Sequence, residues 1–453
     1  MRKSKIVNTS KILSKKSMIK MILNSILIFG LFVFSHCDED NSVDDLKADF
    51  SYEYKEVNHV VFTNQSEGEY YSMTWNFGNG KEETTTDKKK TYEVYYPLAG
   101  DYDVTLKLLN YSGGTKVTSK TINIASTDFV ISFTAEVDAL NPNIINLENT
   151  SQGQFESFKW IYRDKEIVDE TAHAAYFPFV GSYEIELQVI KNGNEISLKK
   201  SISISQNDPD YIDNLSLVWS DEFDGLIVNS DNWTFETGAT GWGNNELQNY
   251  TNGGNAEIVN GYLIITAIKL DDNTAVGSYS SSRIISKGKK EFKYGRMEVR
   301  ANVPEGRGIW PAIWMLGSNI SSVGWPVCGE IDIMEYVGYE PNTVHATVHT
   351  PSGYAANGDG TSVTLVSCEE EFHNYGIIWT EKQIDFYIDT PENIIYTYNP
   401  ILKSEDNWPF DKPQFFILNI AVGGDWGGAQ GVDNSIFPQT MEIDYVRVYQ
   451  EVL

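Results

Sequence analysis

The stretch 329–338, GEIDIMEYVG, constrains the fold of this chain more than any other, because three carboxylates alternate in it with bulky apolar residues. These residue types favour a β-strand, in which successive side chains point to opposite faces. Glu330 and Asp332 would then share one face, whereas Glu335 has the wrong parity. A β-bulge places two residues of one strand opposite a single partner, so a bulge with Met334 as the extra residue would return Glu335 to the first face. The sequence therefore predicts a bulged strand that presents three acids together.

Two glutamates that converge from such a strand suit the hydrolysis of a glycosidic bond with retention. That reaction needs a nucleophile and an acid/base whose carboxyls lie about 5–5.5 Å apart, against about 6.5–9.5 Å for inversion. Asp332 is shorter by one methylene, so it can hydrogen-bond to its neighbour, and its charge should raise the pKa of a neighbouring carboxyl. Acid clusters also occur on solvated strand faces and in calcium sites. The alternating apolar residues and the tryptophans upstream favour the catalytic interpretation here.

Five ordered blocks resemble glycoside hydrolase family 16, and within it the laminarinase-like members with a bulged active-site strand. They are GWGNNELQ at 241–248, YGRMEVRA at 294–301, GIWPAIWMLG at 308–317, the acid motif itself, and DYVRVYQ at 444–450. The resemblance covers roughly residues 217–451. It implies Glu330 as the nucleophile, Asp332 as its assisting carboxylate and Glu335 as the acid/base. It also implies a two-sheet, concanavalin A-like jelly roll with a substrate cleft across the concave sheet.

Sugars present flat apolar faces edged by hydroxyls, so a glycan cleft needs aromatic platforms with polar groups around them. The resemblance implies substrate contacts at Asn245, Arg283, Trp310, Trp314, Trp325 and His349, and Trp426 is expected on a loop at the cleft edge, as a further substrate contact. Plain core packing is the alternative for each tryptophan, and Asn244 competes with Asn245. A structural role is the alternative for His349, and the glycines around Trp426 are equally consistent with a tight turn.

No metal is needed for this chemistry, and no His/Cys cluster has the spacing of metal ligands. Members of the family often hold a structural calcium on the convex side of the jelly roll. The matching positions are Glu222, the Gly261 carbonyl and Asp444, and oxygen ligands from distant segments suit calcium. Asp444 is alternatively a simple acid at a strand start.

Residues 47–126 and 127–206 are predicted to be two copies of one immunoglobulin-like β-sandwich, because short alternating strands recur at a spacing of about 80 residues. The first copy, with WNFGNG at 75–80 and GDYDVTL at 100–106, resembles a PKD domain. The second keeps Trp160 and the GSYEIEL strand but lacks the glycine-rich turn. Their aromatic residues suit a core, so a spacer is the predicted role and carbohydrate binding the alternative.

Residues 207–216 are the predicted linker into the catalytic domain, 217–453. Many short strands divided by Gly, Asn and Asp turns predict one large all-β sandwich there. The last strand, 443–449, is expected to pair early in the fold and close it.

The N-terminus predicts export. Basic residues precede an apolar run at 21–34 that is shorter than the roughly 20 residues of a membrane-spanning helix. Residues 1–37 are therefore interpreted as a signal peptide that resembles those of bacterial lipoproteins, with lipidation at Cys37 and an acidic tether at 38–46. Simple secretion is the alternative. Cys328 and Cys368 then remain as a possible disulfide or as two buried thiols.

Charge narrows the choice of partner. Thirty-five basic against 63 acidic residues give a formal charge of −28, which disfavours nucleic acid, anionic lipid and sulfated polysaccharide as partners. A neutral glucan fits better, and a lipid anchor would be the chain's contact with a membrane. The predicted protein is a monomeric outer-membrane or cell-surface lipoprotein that cleaves internal β-1,3-glucosidic bonds of laminarin-type glucans. The alternatives are a mixed-linkage β-glucanase, agarase or transglycosylase on the same fold, or a non-catalytic glycan-binding adhesin.

Overall fold

The structure, a computed structural model, describes residues 45–56, 58–126 and 128–451. It forms two compact units, and the boundary between them falls between Gln206 and Asn207. The predicted signal peptide and Cys37 lie outside the described residues. No helix in the described ranges is long and apolar enough to cross a membrane. The all-β prediction is confirmed, since the helices described are the single turns α1 (Ile320–Val323) and a 3-10 helix at Ala355–Asn357.

The first unit contains two β-sandwich modules with the same topology. Strands of the first module are β1 (Phe50–Glu56), β2 (His59–Asn64), β3 (Ser72–Asn76), β4 (Glu82–Thr85), β5 (Tyr92–Tyr95), β6 (Gly100–Leu109) and β7 (Thr115–Ile124). Strands of the second are β8 (Phe133–Val137), β9 (Ile144–Asn149), β10 (Ser157–Tyr162), β11 (Lys165–Val168), β12 (Ala172–Tyr176), β13 (Gly181–Lys191) and β14 (Asn194–Ile204). The sheets are β1-β2-β5 with β4-β3-β6-β7, and β12-β9-β8 with β11-β10-β13-β14. The strand orders match one for one, so the two modules are structural repeats.

Each module is built around one tryptophan on the third strand. Trp75 and Trp160 are fully buried, in the core clusters of the first and second module respectively. The second module replaces the glycine-rich turn with Arg163 and Asp164, both in the left-handed region at φ 45° and 60°. Positive φ at both central residues is the geometry of a type I′ hairpin turn. The missing glycines are therefore explained by a two-residue turn between β10 and β11, which pair from Tyr162 to Lys165.

Asp128 ties the two modules together. Its carboxylate accepts hydrogen bonds from Asn58 Nδ2 at 2.8 Å and Tyr95 Oη at 2.9 Å in the first module. From the second module, Lys191 Nζ lies 2.9 Å from the other carboxylate oxygen, and the lysine side chain is only 8 % exposed. A buried ammonium group needs a partner, so the Asp128 side chain links the modules at a specific orientation within this unit.

The second unit is a jelly roll of two packed sheets. Its strands are β15 (Ser216–Asp221), β16 (Thr234–Glu236), β17 (Gln248–Tyr250), β18 (Ala256–Val259), β19 (Tyr262–Lys269), β20 (Tyr279–Ser281), β21 (Arg283–Ile285), β22 (Glu291–Phe292), β23 (Gly295–Asn302), β24 (Ile309–Gly317), β25 (Glu330–Tyr336), β26 (Thr343–His349), β27 (Asp359–Thr364), β28 (His373–Trp379), β29 (Ile384–Ile388), β30 (Ile394–Tyr398), β31 (Gln414–Val422) and β32 (Gln439–Gln450). An eight-stranded sheet has the order β16-β21-β31-β24-β25-β26-β27, with β22 paired to β31. A ten-stranded sheet has the order β17-β20-β19-β32-β23-β28-β29-β30, with β15 and β18 at its side.

Alternating apolar side chains from both sheets fill the space between them. Met297, Val299 and Ala301 come from β23, and Ile331 from β25, all with no exposed surface. Strand β31 lies in the middle of the eight-stranded sheet and is buried along its whole length. The outer face of that sheet carries the tryptophans of β24 and polar side chains of β25 and β26.

The last strand closes the fold as predicted. Strand β32 pairs antiparallel with β15 at the start of the unit and also with β19 and β23. The predicted domain boundaries at 37, 46, 126, 206 and 216 stay predictions.

Candidate active site

The bulge in β25 is present, and it lies one step from its predicted position. On one side Asp332 pairs with Trp314 and Met334 with Ile313, so Ile333 is the residue without a partner in β24. On the other side the pairing passes from Asp332 directly to Glu335, with a shift of register between them. The prediction that Met334 is the extra residue is therefore wrong for the β24 pairing.

The physical reason is that both bulge residues turn inward. Ile333 and Met334 are 3 % and 1 % exposed and both belong to the core between the sheets. Two consecutive inward side chains reset the alternation, as a bulge does. Glu330, Asp332 and Glu335 consequently share the outer face of the sheet.

The three acids are largely buried. Asp332 is 2 % and Glu335 9 % exposed, and the Glu330 side chain is 15 % exposed. Burial raises the pKa of Glu335 to about 7, and the neighbouring charge of Glu330 adds to the rise. Burial, followed by the charge of Asp332, holds the pKa of Glu330 well above its usual range. The predicted effect of the Asp332 charge, expected for the acid/base, is thus found at Glu330, whereas the charge that raises the pKa of Glu335 is that of Glu330.

Asp332 interacts with both glutamates. Burial raises the pKa of Asp332 well above its usual range, the charge of Glu335 adds to the rise, and a hydrogen bond to the Glu330 carboxyl opposes it. Two adjacent buried carboxyls cannot both ionise easily, so a proton shared between them leaves the pair with one negative charge. That arrangement lets one of the two act as a base or nucleophile while Glu335 retains a proton near neutral pH.

His349 completes this cluster, where the resemblance places it. Its Nε2 atom lies 3.1 Å from Asp332 Oδ2 and 3.7 Å from Glu330 Oε1. Among the described residues, these three side chains form the group whose donor atoms, within 4.8 Å of one another, are close enough to hold a cation. A cation bound there would occupy the carboxylates that the acid–base chemistry requires.

Two of the predicted tryptophans contact the acids directly through their indole N–H groups. Trp325 donates to Glu330 Oε2 at 2.7 Å, and Trp310 donates to Glu335 Oε1 at 3.0 Å. Trp325 is 43 % exposed, and Trp310 is half-buried. Hydrogen bonds to the ionised form favour a carboxylate, so each indole opposes the effect of burial on its acid.

The remaining predicted substrate residues lie on the same side of the sheet but have protein partners. Trp314 donates to Asn419 Oδ1 at 2.7 Å. Arg283 lies over the rings of Trp242 and Trp314, at 4.9 and 4.7 Å, and pairs with Glu236 at 2.6 Å. Its planar guanidinium extends the aromatic surface that Trp314 begins.

Asn245 and Trp426 belong to two loops that are joined to each other. The Asn245 amide donates to both carboxylate oxygens of Asp425, at 2.9 and 3.1 Å, so it supports the loop 423–428. Trp426 on that loop packs edge-on against Trp310, with ring centroids 5.5 Å apart, and against His345 at 4.9 Å. Since His345 is paired across from Glu335, Trp426 forms a wall of the cleft beside Glu335.

A buried polar network centred on Glu246 lies beneath the cleft and was not predicted from the sequence. Glu246, 4 % exposed, accepts hydrogen bonds from Gln248 at 2.6 Å, Asn244 at 3.1 Å and Tyr250 at 3.4 Å. Tyr250 Oη in turn accepts from Asn419, the partner of Trp314. Burial raises the pKa of Glu246. The available signal was Asn419, a polar side chain in the middle of the apolar run FFILNIAV.

The positions matched to calcium have other partners. Glu222 pairs with Arg447 through two hydrogen bonds, at 3.0 and 2.8 Å, and Asp444 pairs with Arg300 at 2.5 Å. The Glu222 carboxylate is occupied through both oxygens and the Asp444 carboxylate through Oδ2, so the arrangement does not fit a calcium ion shared by Glu222, Gly261 and Asp444. Cys328 and Cys368 are both buried free thiols, which corresponds to the second of the two alternatives for this pair.

Known proteins and family models match the jelly roll that contains these acids. The family model described as glycosyl hydrolases family 16 matches residues 243–447, and the PKD domain model matches residues 53–123. The beta-glucanase of Rhodothermus marinus is 44 % identical over 248 residues, which cover 52 % of this chain and 85 % of that protein. The glucan endo-1,3-beta-glucosidase of Cryptopygus antarcticus is 35 % identical over 247 residues, covering 51 % of this chain and 90 % of that protein.

A solved structure agrees with these sequence matches. The laminarinase from Rhodothermus marinus superposes with a TM-score of 0.50 at 42 % identity, covering 53 % of this chain and 98 % of that chain. Fold, acid motif and sequence identity over most of a relative's length thus converge on the jelly roll. The chain belongs to glycosyl hydrolase family 16.

Proposed function

We propose that the chain is an endo-acting, retaining glycoside hydrolase that cleaves β-1,3-glucosidic bonds of laminarin-type glucans. The observation that carries the proposal is the bulged strand β25, which brings Glu330 and Glu335 to one face with different hydrogen-bond environments. Relatives named beta-glucanase and glucan endo-1,3-beta-glucosidase support the choice of substrate.

In the proposed mechanism Glu330 attacks the anomeric carbon while Glu335 gives its proton to the departing glycosidic oxygen. The products of this step are a glycosyl ester on Glu330 and a shortened glucan. Glu335, now a carboxylate, takes a proton from water, which attacks the same carbon and releases Glu330. Two displacements at one carbon retain its configuration. Asp332 and His349 hold the nucleophile and adjust its charge.

The raised pKa of Glu335 predicts where activity falls as the pH rises. The first step needs Glu335 protonated, and its pKa is about 7 rather than the ordinary 4.5. We therefore expect the basic limb of the kcat/KM profile on laminarin to begin near pH 7, with a fall of about tenfold per pH unit above it. A 2,4-dinitrophenyl glycoside needs no proton for its leaving group, so its glycosylation step should lack this basic limb. A basic limb of equal midpoint on both substrates would contradict the assignment.

Product analysis on three polysaccharides tests the substrate. Purified full chain is incubated with laminarin, lichenan and agarose, and the products are separated by size and anomeric form. We expect β-anomeric oligosaccharides of mixed length from laminarin. Release mainly from lichenan or agarose would favour a mixed-linkage glucanase or an agarase, and products longer than the substrate would favour a transglycosylase. Binding to laminarin without cleavage of any substrate would favour the adhesin alternative.

We further propose that the protein is exported as a monomeric lipoprotein acylated at Cys37, with the two sandwich modules as a spacer. The apolar run at 21–34, followed closely by a cysteine and three acids, supports export. In a bacterial host fed labelled palmitate, the full chain should incorporate label and a Cys37→Ala variant should not. Equal labelling of the two proteins would exclude this anchor.

A further inference from the structure

Each of the two proposed catalytic glutamates accepts a hydrogen bond from an indole N–H. One indole contacts the proposed nucleophile and the other contacts the proposed acid/base. Trp325 donates to Glu330 Oε2 and Trp310 to Glu335 Oε1. An indole N–H is a donor only and does not titrate in the working pH range. The oxygen that accepts it therefore cannot carry the carboxyl proton toward that donor.

We propose that Trp310 and Trp325 are positioning residues that select the reacting oxygen of each glutamate: Oε2 of Glu335 carries the acid proton, and Oε1 of Glu330 attacks the sugar. The inference rests on the proposed function for its kinetic consequences, and on geometry alone for the location of the proton. It assigns the two rings a task beyond that of sugar platforms.

Packing around Trp310 supports a fixed donor. The loop 423–428 approaches this ring so closely that a Cβ on Gly427 would lie 2.7 Å from Trp310 Cβ, and one on Gly424 3.3 Å from Trp310 Cζ3. Gly424 also has φ of 80°, which side chains rarely adopt. Trp426 packs against the ring from the same loop. The loop covers part of the Trp310 ring, so less of the ring is open to a sugar. The same packing holds the indole N–H toward Glu335.

Trp325 is more exposed than Trp310, but its N–H is also bonded to a largely buried acid. The residue is 43 % exposed, yet its N–H reaches the carboxylate of Glu330, whose side chain is 15 % exposed. Tyr354 packs edge-on against the ring at 5.3 Å. Because Oε2 of Glu330 is taken by the indole, Oε1 is the oxygen left toward His349, 3.7 Å away. In the proposed arrangement Oε1 therefore supplies the attacking lone pair.

The two donors should act on opposite limbs of the pH–rate profile. A hydrogen bond to a carboxylate lowers its pKa, so removing it raises the pKa. A higher pKa of Glu335 keeps the acid protonated to higher pH and moves the basic limb upward. A higher pKa of Glu330 leaves the nucleophile protonated to higher pH and moves the acidic limb upward. Loss of a sugar platform would change KM and move neither limb.

The test compares Trp310→Phe and Trp325→Phe with Trp314→Phe as the matched control, because the Trp314 indole donates to Asn419 rather than to an acid. Carboxyl ¹³C NMR of glutamate-labelled protein, titrated without substrate, gives the pKa of each acid, with signals assigned from Glu330→Gln and Glu335→Gln spectra. We expect a rise of about one pH unit at Glu335 in Trp310→Phe and at Glu330 in Trp325→Phe, as a charge-assisted hydrogen bond implies. Trp314→Phe should move neither.

Kinetics then separate this proposal from the proposed function. On laminarin we expect the basic limb of Trp310→Phe and the acidic limb of Trp325→Phe to move up by about one unit, with kcat/KM at the optimum about tenfold lower. On a dinitrophenyl glycoside the Trp310→Phe defect should largely vanish and the Trp325→Phe defect should persist. NMR shifts as expected in a protein that cleaves no glucan would refute the proposed function and leave the indole assignment intact. Unmoved signals in folded Trp310→Phe and Trp325→Phe, or equal shifts in Trp314→Phe, would overturn the assignment.

Discussion

The Glu330→Ala protein is expected to hydrolyse laminarin at least about 10⁴-fold more slowly than the wild type, because it has no group to form the glycosyl ester. The shortened side chain leaves space beside Asp332 and His349 for a small anion. Added azide should therefore restore cleavage of a dinitrophenyl glycoside and yield the α-glycosyl azide. The measurement is the rate of dinitrophenolate release together with the anomeric form of the azide product.

The matched variant for this experiment is Glu335→Ala, which keeps the nucleophile. With azide it should give the β-glycosyl azide, because azide then attacks the glycosyl ester instead of replacing Glu330. Opposite anomers from the two variants would assign the two roles independently of their rates. Wild-type release of oligosaccharides by Glu330→Ala would remove Glu330 from the mechanism altogether.

Deletion of Met334 from the bulge is expected to lower activity on laminarin as much as removal of the Glu335 side chain would. In regular pairing the position of Glu335 points into the core, since strand residues alternate between faces. A chain without Met334 must either bury Glu335 or turn the rest of β25 over. We expect kcat/KM on laminarin to fall at least about 10³-fold, the scale of a lost general acid. Activity on a dinitrophenyl glycoside should recover if Glu335 alone is buried, and should stay low if Glu330 is turned away from the cleft.

Met334→Leu is the control for this deletion. It keeps the residue count and nearly the volume of a side chain that is 1 % exposed, so it should retain both fold and activity. Circular dichroism and thermal unfolding of both variants would show whether the jelly roll remains folded. A folded deletion variant with full activity on laminarin would refute the role of the bulge.

The parity of the acids allowed the bulge to be predicted, but not its position within the pairing. The residue types of β25 show that Glu335 needs an extra residue before it, and both Ile333 and Met334 are apolar enough to enter the core. Which one loses its partner is decided by the register of β24 against β25, and long-range pairing of this kind is not encoded locally. Similarly, Trp325 and Trp310 were recognisable as cleft residues, whereas the atoms that their N–H groups contact depend on loops far away in the sequence.

Asn245 and Glu246 illustrate the other limit. The motif that contains them was recognisable, but its amide and carboxyl groups bond to Asp425 and to Gln248, Asn244 and Tyr250 in the structure. A polar residue in a motif does not show whether it faces a ligand or the protein, because burial is a tertiary property. The repeated modules were easier to predict, since Trp75 and Trp160 each mark the centre of a local hydrophobic pattern.

The pairing of β32 with β15 has a consequence for how the jelly roll is connected to flanking segments of chain. Ser216 lies opposite Gln450, so the chain enters and leaves the jelly roll at neighbouring points of one sheet, as is common in domains that tolerate insertion or permutation. Because the two ends of the jelly roll are adjacent, a change in the length or identity of the flanking segments acts on the domain at one place only. Strand β25, with its acids, belongs to the other sheet and is spared by such changes.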